Sequence, residues 1–166
     1  MLEATASIAL ALLVVAGVAK VVEPEFTDGA LRATGLPSGV GIVRVLGMAE
    51  VMAGIAGLVF GGSLAAPAAL FYAGFSLFTG NALRRDVPIQ SCGCFGREDT
   101  PPSFIHLVFN VIATVALGIV ASTGMTALPA GTMAETVLYV SFVGLGTFAS
   151  VLLMTRLPTV LRLTRS

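Results

Sequence analysis

Five stretches of the chain are apolar enough, for long enough, to read as single elements. They run from about Thr5 to Val22, Val40 to Phe60, Ser63 to Leu83, Phe104 to Ala121 and Ala134 to Met154. A helix that crosses the bilayer needs about 20 mostly apolar residues, and each stretch meets that length. Pro67 falls in the first turn of the third, where the missing N–H costs little. None of the runs alternates apolar and polar residues as a membrane β-strand would. The pattern predicts an all-α, polytopic transmembrane helical bundle of about five spans, forming a single membrane-embedded domain over 1–166.

The connections differ. Gly61-Gly62-Ser63 is a minimal turn and predicts an antiparallel hairpin of spans two and three. Ser122 to Met133, with Gly124, Pro129 and Gly131, reads as a short loop. Between Glu23 and Gly39, Phe26, Ala30, Leu31 and Thr34 recur at helical spacing. A short interfacial helix ending at Gly35-Leu36-Pro37 is expected there. The most irregular connection, 81–103, carries both cysteines.

Composition narrows the class. Of 166 residues, 56% are hydrophobic and 11% charged, against about 25% charged in a soluble domain. That excludes a soluble globular domain, a disordered segment and a disulfide-dense secreted module. Nine basic residues balance nine acidic ones, so neither nucleic acid nor another polyanion is expected as a partner. Membrane lipid is the expected environment, and other membrane subunits are compatible with it. Met1-Leu2-Glu3 has no basic leader, so the first run is read as a retained span. With five spans, Lys20, Arg32, Arg44, Arg84, Arg85, Arg97, Arg156, Arg162 and Arg165 all fall on one side. Basic residues concentrate in cytoplasmic loops. The expected protein is therefore multi-pass in the cell membrane, with its N-terminus outside and its C-terminus and cysteine loop in the cytoplasm.

The candidate chemistry centres on Ser91-Cys92-Gly93-Cys94-Phe95-Gly96. Cysteines two residues apart enclose almost no loop, so a bond between them cannot staple a fold. In an extended chain their Cα atoms lie about 7 Å apart, whereas a disulfide prefers about 5.5–6 Å. Gly93 permits the bend, and strained, exposed disulfides are the reversible ones. Arg97, Arg84 and Arg85 favour a thiolate, while Glu98 and Asp99 oppose it. Ser103 is a good N-cap for span four, whose positive end also favours a thiolate. Three readings stand open here: a redox dithiol, a soft-metal site formed by Cys92, Cys94 and His106, and two inert buried cysteines.

His106 and Asn110 share a face of span four. His106 reads either as a proton partner for the thiols or as an interfacial side chain, and Asn110 reads more readily as packing. Glu50 lies in the middle of span two, where a charge costs about 2.5–3.5 kcal/mol on insertion scales. Its face carries Gly47, Ala53, Gly54, Gly57 and Gly61, so the carboxylate should point into the bundle, protonated or paired with Lys20 or Arg44. Phe71, Phe75 and Phe78 form a stripe compatible with the wall of a quinone pocket, but such stripes are more often ordinary lipid-facing or packing surface, and no cofactor is inferred from it.

Cys92-Gly93-Cys94-Phe95-Gly96, Asn110 in the following span, Lys20, Gly35-Leu36-Pro37 and Glu50 together resemble the methylamine utilisation protein MauE family, within the wider DoxX-like membrane proteins. The resemblance extends over about Leu10 to Met154. Phe109 stands before that asparagine, where the family often carries a basic residue. The resemblance implies a core of four or five helices, a role in maturing a disulfide-rich exported protein, and a thioredoxin-like partner. DoxX-like relatives imply thiol- or quinone-coupled redox chemistry. The expected function is thus an integral membrane thiol:disulfide oxidoreductase. Cys92 and Cys94 form its redox pair, Arg97 and His106 tune it, Glu50 handles a proton, and Asn110 fixes backbone or substrate. A soft-metal carrier and a non-catalytic membrane subunit are the alternatives. A cytoplasmic dithiol would draw on cytosolic thioredoxin or a related donor, whereas a factor acting directly on exported protein needs its thiols outside.

Overall fold

The computed structural model describes residues 1–85, 101–125 and 132–163, with side chains as far as Arg156. Cys92, Cys94, Arg97, Glu98 and Asp99 lie outside the described residues, as does 126–131 of the fourth connection. Six α-helices are described: α1 (Leu2–Val22), α2 (Pro24–Ala33), α3 (Val40–Phe60), α4 (Ala66–Arg85), α5 (Phe104–Thr123) and α6 (Met133–Leu163). A short 3₁₀ turn, Gly62–Ala65, leads into α4. No strand occurs among the described residues. All but α2 are long and apolar enough to cross a membrane. In hydrocarbon every backbone N–H and C=O needs an internal partner, and a helix supplies it from its own chain.

The short α2 is the helix expected between the first two spans. Pro24 starts it, where a missing N–H is tolerated. Its end follows from Gly35, whose φ of 75° lets the chain reverse. Leu36 N–H then donates to Leu31 O at 3.0 Å and Gly35 N–H to Arg32 O at 3.1 Å. This paired closure satisfies carbonyls left over at the helix end.

The helix α1 is the axis of the bundle. Leu10, Leu12 and Leu13 are essentially inaccessible, and α1 touches α2, α3, α5 and α6. Tyr72 of α4 donates its hydroxyl to Ala9 O at 2.6 Å. The closest pairings are α1 with α3 and α4 with α5. The turn joining α3 to α4 is as short as expected, but those two helices touch only sparingly, and each packs chiefly on another partner.

Apolar surface does not drive helix association in lipid, because the tails are equally apolar. Close backbone approach does. A methyl group at Gly17 would sit 2.6 Å from Gly47 O, and one at Gly47 would sit 2.6 Å from Gly17 O. Farther along, Gly54 lies against Val14 and Gly57 against Leu10. As residue numbers rise along α1 they fall along α3, so the two helices are antiparallel. Large apolar side chains such as Val45, Met48, Met52 and Leu138 remain exposed on the outer faces, as lipid contact requires. The second span matches the expected Val40–Phe60, while α5 and α6 run past the expected Ala121 and Met154.

Candidate functional site

Helix side chains lean toward the N-terminus of their own helix. On antiparallel α1 and α3 this rule aims Lys20 and Glu50 at one another. Lys20, near the end of α1, leans into the bundle, and Glu50, mid-way along α3, leans toward the end where Lys20 sits. Lys20 Nζ donates to Glu50 Oε2 at 2.9 Å, with side-chain exposures of 3% and 0%. Of the two partners expected for Glu50, Lys20 is the one found, and Arg44 is exposed. Gly17 and Gly47 each stand one turn before a charged residue. Their contact brings the backbones close enough to exclude water from the pair. Glu50 Oε1 is buried with no hydrogen-bond partner among the described residues. The Phe75 ring lies 5.1 Å from Lys20 Nζ, where a π-face attracts a cation.

The helix α5 places the second group. Ser103 is its N-cap residue, with the extended backbone a cap adopts, but its hydroxyl makes no capping bond. Instead Ser103 Oγ lies 2.7 Å from His106 Nδ1. The serine expected to cap the helix therefore orients the imidazole. His106 and Asn110 are both buried, and both line a cavity of about 20 Å³ with Tyr72, Phe75 and Met154. A cavity of that size has room for about one water.

Phe75 is common to both arrangements: one contact is with Lys20, and its ring also walls the cavity beside His106 and Asn110. Glu50, His106 and Asn110 therefore face the interior of the bundle. Lys20 and His106 lie at the end where α4 runs into the cysteine-bearing connection and α5 leaves it. The phenylalanine stripe, expected to be lipid-facing or packing surface, packs against the core and also lines a larger cavity together with Lys20. Among the described residues no group of three His, Cys, Asp or Glu is positioned to hold a metal ion; the alternative set includes Cys92 and Cys94, outside those residues. Sequence reasoning treated Lys20 chiefly as a flanking charge and missed Gly17. The signal was present in Gly17-Val18-Ala19-Lys20 and Gly47-Met48-Ala49-Glu50, two segments with a glycine three residues before a charge.

Five apolar helices around a buried ion pair define a multi-pass helical membrane protein. The chain belongs to the family described as methylamine utilisation protein MauE, whose profile matches residues 1–123. The match takes in α1 to α5 and the cysteine-bearing connection. Comparisons with curated proteins and with solved structures find no match.

Proposed function

We propose that this protein is a membrane thiol–disulfide oxidoreductase whose redox pair is Cys92 and Cys94. The observation that carries the reading is a placement in the chain. The Cys92-Gly93-Cys94 segment belongs to the connection from α4 to α5, ten residues of sequence before Phe104, and the helix it leads to carries buried His106. In the reducing direction one cysteine thiolate attacks a sulfur of a partner's disulfide and releases the partner's other sulfur as a thiol. The second cysteine then attacks the mixed disulfide. A Cys92–Cys94 bond forms, the partner's bond is broken, and two electrons and two protons pass to the partner. A thioredoxin-like protein suits this exchange as donor or acceptor.

His106, oriented by Ser103, exchanges the thiol proton, and Arg97 favours the thiolate. Glu50, in its ion pair with Lys20, carries a proton inside the bundle, and Asn110 holds His106's surroundings in register. The cysteine connection and the C-terminus face the cytoplasm, following the one-sided distribution of basic residues.

The test is mass spectrometry of alkylated protein equilibrated in graded thiol buffers. The expected result is one reversible two-electron couple between Cys92 and Cys94, abolished by Cys92→Ser or Cys94→Ser. His106→Ala should leave the couple formed but slow exchange with a disulfide substrate by about 100-fold, the lower bound for a lost general acid–base group. Free thiols at every buffer ratio would overturn the reading.

A further inference from the structure

Two cavities lie side by side along α4. The first, of about 230 Å³, is walled by α2 and α4, and Phe71, Phe75 and Phe78 line it. The second, of about 630 Å³, is more open and is lined by Leu77, Asn81 and Arg84. Leu36, Gly74 and Phe78 belong to both walls, so the two form one groove. Its inner part suits an apolar occupant. Lys20 is paired with Glu50, and Thr27 is likewise engaged within the protein, so neither calls for a polar ligand, and Thr79 adds a single hydroxyl. Its outer part is basic. Arg84 and Arg85 close α4, and both are exposed. Neither forms an ion pair among the described residues, and Asp28 of α2 is already held by Arg32 at 2.6 Å.

The dimensions select the ligand. From Leu70 to Arg84 the groove follows α4 for about 21 Å, at about 1.5 Å per residue. One leaflet with its headgroups is half of about 40–45 Å. The two arginines end the span, so the basic end of the groove lies at the membrane boundary and Leu70 lies toward the midplane. Leu70 and Leu77 are 74% and 76% exposed, so the groove opens sideways to lipid. A molecule that fills both parts is apolar along most of its length and anionic at one end. A partner's helix, about 10–12 Å across with its side chains, is too wide for the inner cavity, and a free anion would leave that cavity unfilled.

We propose that this groove holds one anionic phospholipid, with its phosphate against Arg84 and Asn81 and one acyl chain between α2 and α4 along the phenylalanines. Basic pockets between membrane helices bind anionic headgroups by the same attraction. The site uses neither cysteine and stands apart from the redox reading above.

The test is native mass spectrometry of the full chain, released from detergent containing graded phosphatidylglycerol or phosphatidylcholine with identical chains. One phosphatidylglycerol per chain should be retained, about tenfold more tightly than phosphatidylcholine, and Arg84→Gln should cost about fivefold of that preference. Glycerol 3-phosphate alone should not be retained. Arg44→Gln removes an exposed charge near the start of α3, at the same end of the bundle but outside the groove, and should leave the preference unchanged. A side chain at Gly74 meets nothing within 4 Å at its Cβ, so Gly74→Phe can fill the inner cavity without moving the backbone and should weaken retention of both lipids. Cys92→Ser/Cys94→Ser should retain phosphatidylglycerol as the wild type does, so loss of the redox couple and loss of this site are separate results. Equal retention of the two lipids overturns the proposal, as does retention of glycerol 3-phosphate as strong as that of the lipid. A loss with Arg44→Gln as large as with Arg84→Gln also overturns it, because that is attraction to a basic surface and not a site. Arg84 is exposed, so its variant decides the matter even should Gly74→Phe not fold.

Discussion

Lys20 and Glu50 test how much a buried charge depends on its partner. Removing one member of a buried pair typically costs about 3–5 kcal/mol, because the other is left uncompensated, whereas replacing both with apolar residues is often neutral. Lys20→Met should therefore lower the thermal midpoint of the protein in detergent markedly, and Lys20→Met/Glu50→Leu should recover most of the loss. The double variant also separates the two roles of the pair. If Glu50 carries a proton in catalysis, the repaired protein is stable but exchanges thiols poorly. Equal activity in wild type and double variant would leave the pair a packing device alone. At this scale the sequence was informative about Glu50, since a carboxylate in an apolar run on a face of small residues has to point inward. It was less informative about Lys20, whose position at a span end fits an interfacial charge equally well. The decision rests on the lean of two antiparallel helices, which no single run contains.

The helices show where local signals suffice. Pro24 and Gly35 bracket α2 with chemistry that acts within a few residues, so both of its ends were legible. Another local signal went unread: Thr132 N–H donates to Glu135 Oε2 at 2.8 Å, and Glu135 N–H reaches Thr132 Oγ1 at 3.4 Å, the reciprocal cap of a Thr-x-x-Glu start. The glycines divide by what they face. Gly17→Val forces atoms into the Gly47 backbone and Glu50; overpacking of this kind costs about 1–3 kcal/mol. Gly29 is helical, exposed and open, with nothing within 4 Å of an added Cβ. Gly29→Ala should stabilise α2 by about 0.5–1 kcal/mol. Thermal melts of the two variants, run side by side, should move in opposite directions. A shared direction would mean that backbone contact is not what joins α1 to α3.

At the scale of the whole molecule, the proposed chemistry belongs to one end of the bundle. Lys20 and His106 lie toward it, and with five spans the order of the chain assigns all nine basic residues to that side. A membrane-impermeant maleimide should leave Cys92 and Cys94 unlabelled in intact cells and modify them after permeabilisation. In a Cys92→Ser/Cys94→Ser background, Thr123→Cys at the opposite end of α5 should label from outside. The reverse pattern would place the dithiol outside, where it could meet exported proteins directly.

The number of spans, the site of the short helix between the first two and the inward face of α3 were determined by sequence alone, because hydropathy, turn residues and helical spacing act over a few residues. Two decisions belonged to the tertiary structure: which cation meets Glu50, and that three phenylalanines pack inward and line a cavity. Each depends on how a helix is rotated and which helix lies beside it. Packing between segments far apart in the chain sets that rotation, and a periodicity confined to one segment carries no record of it.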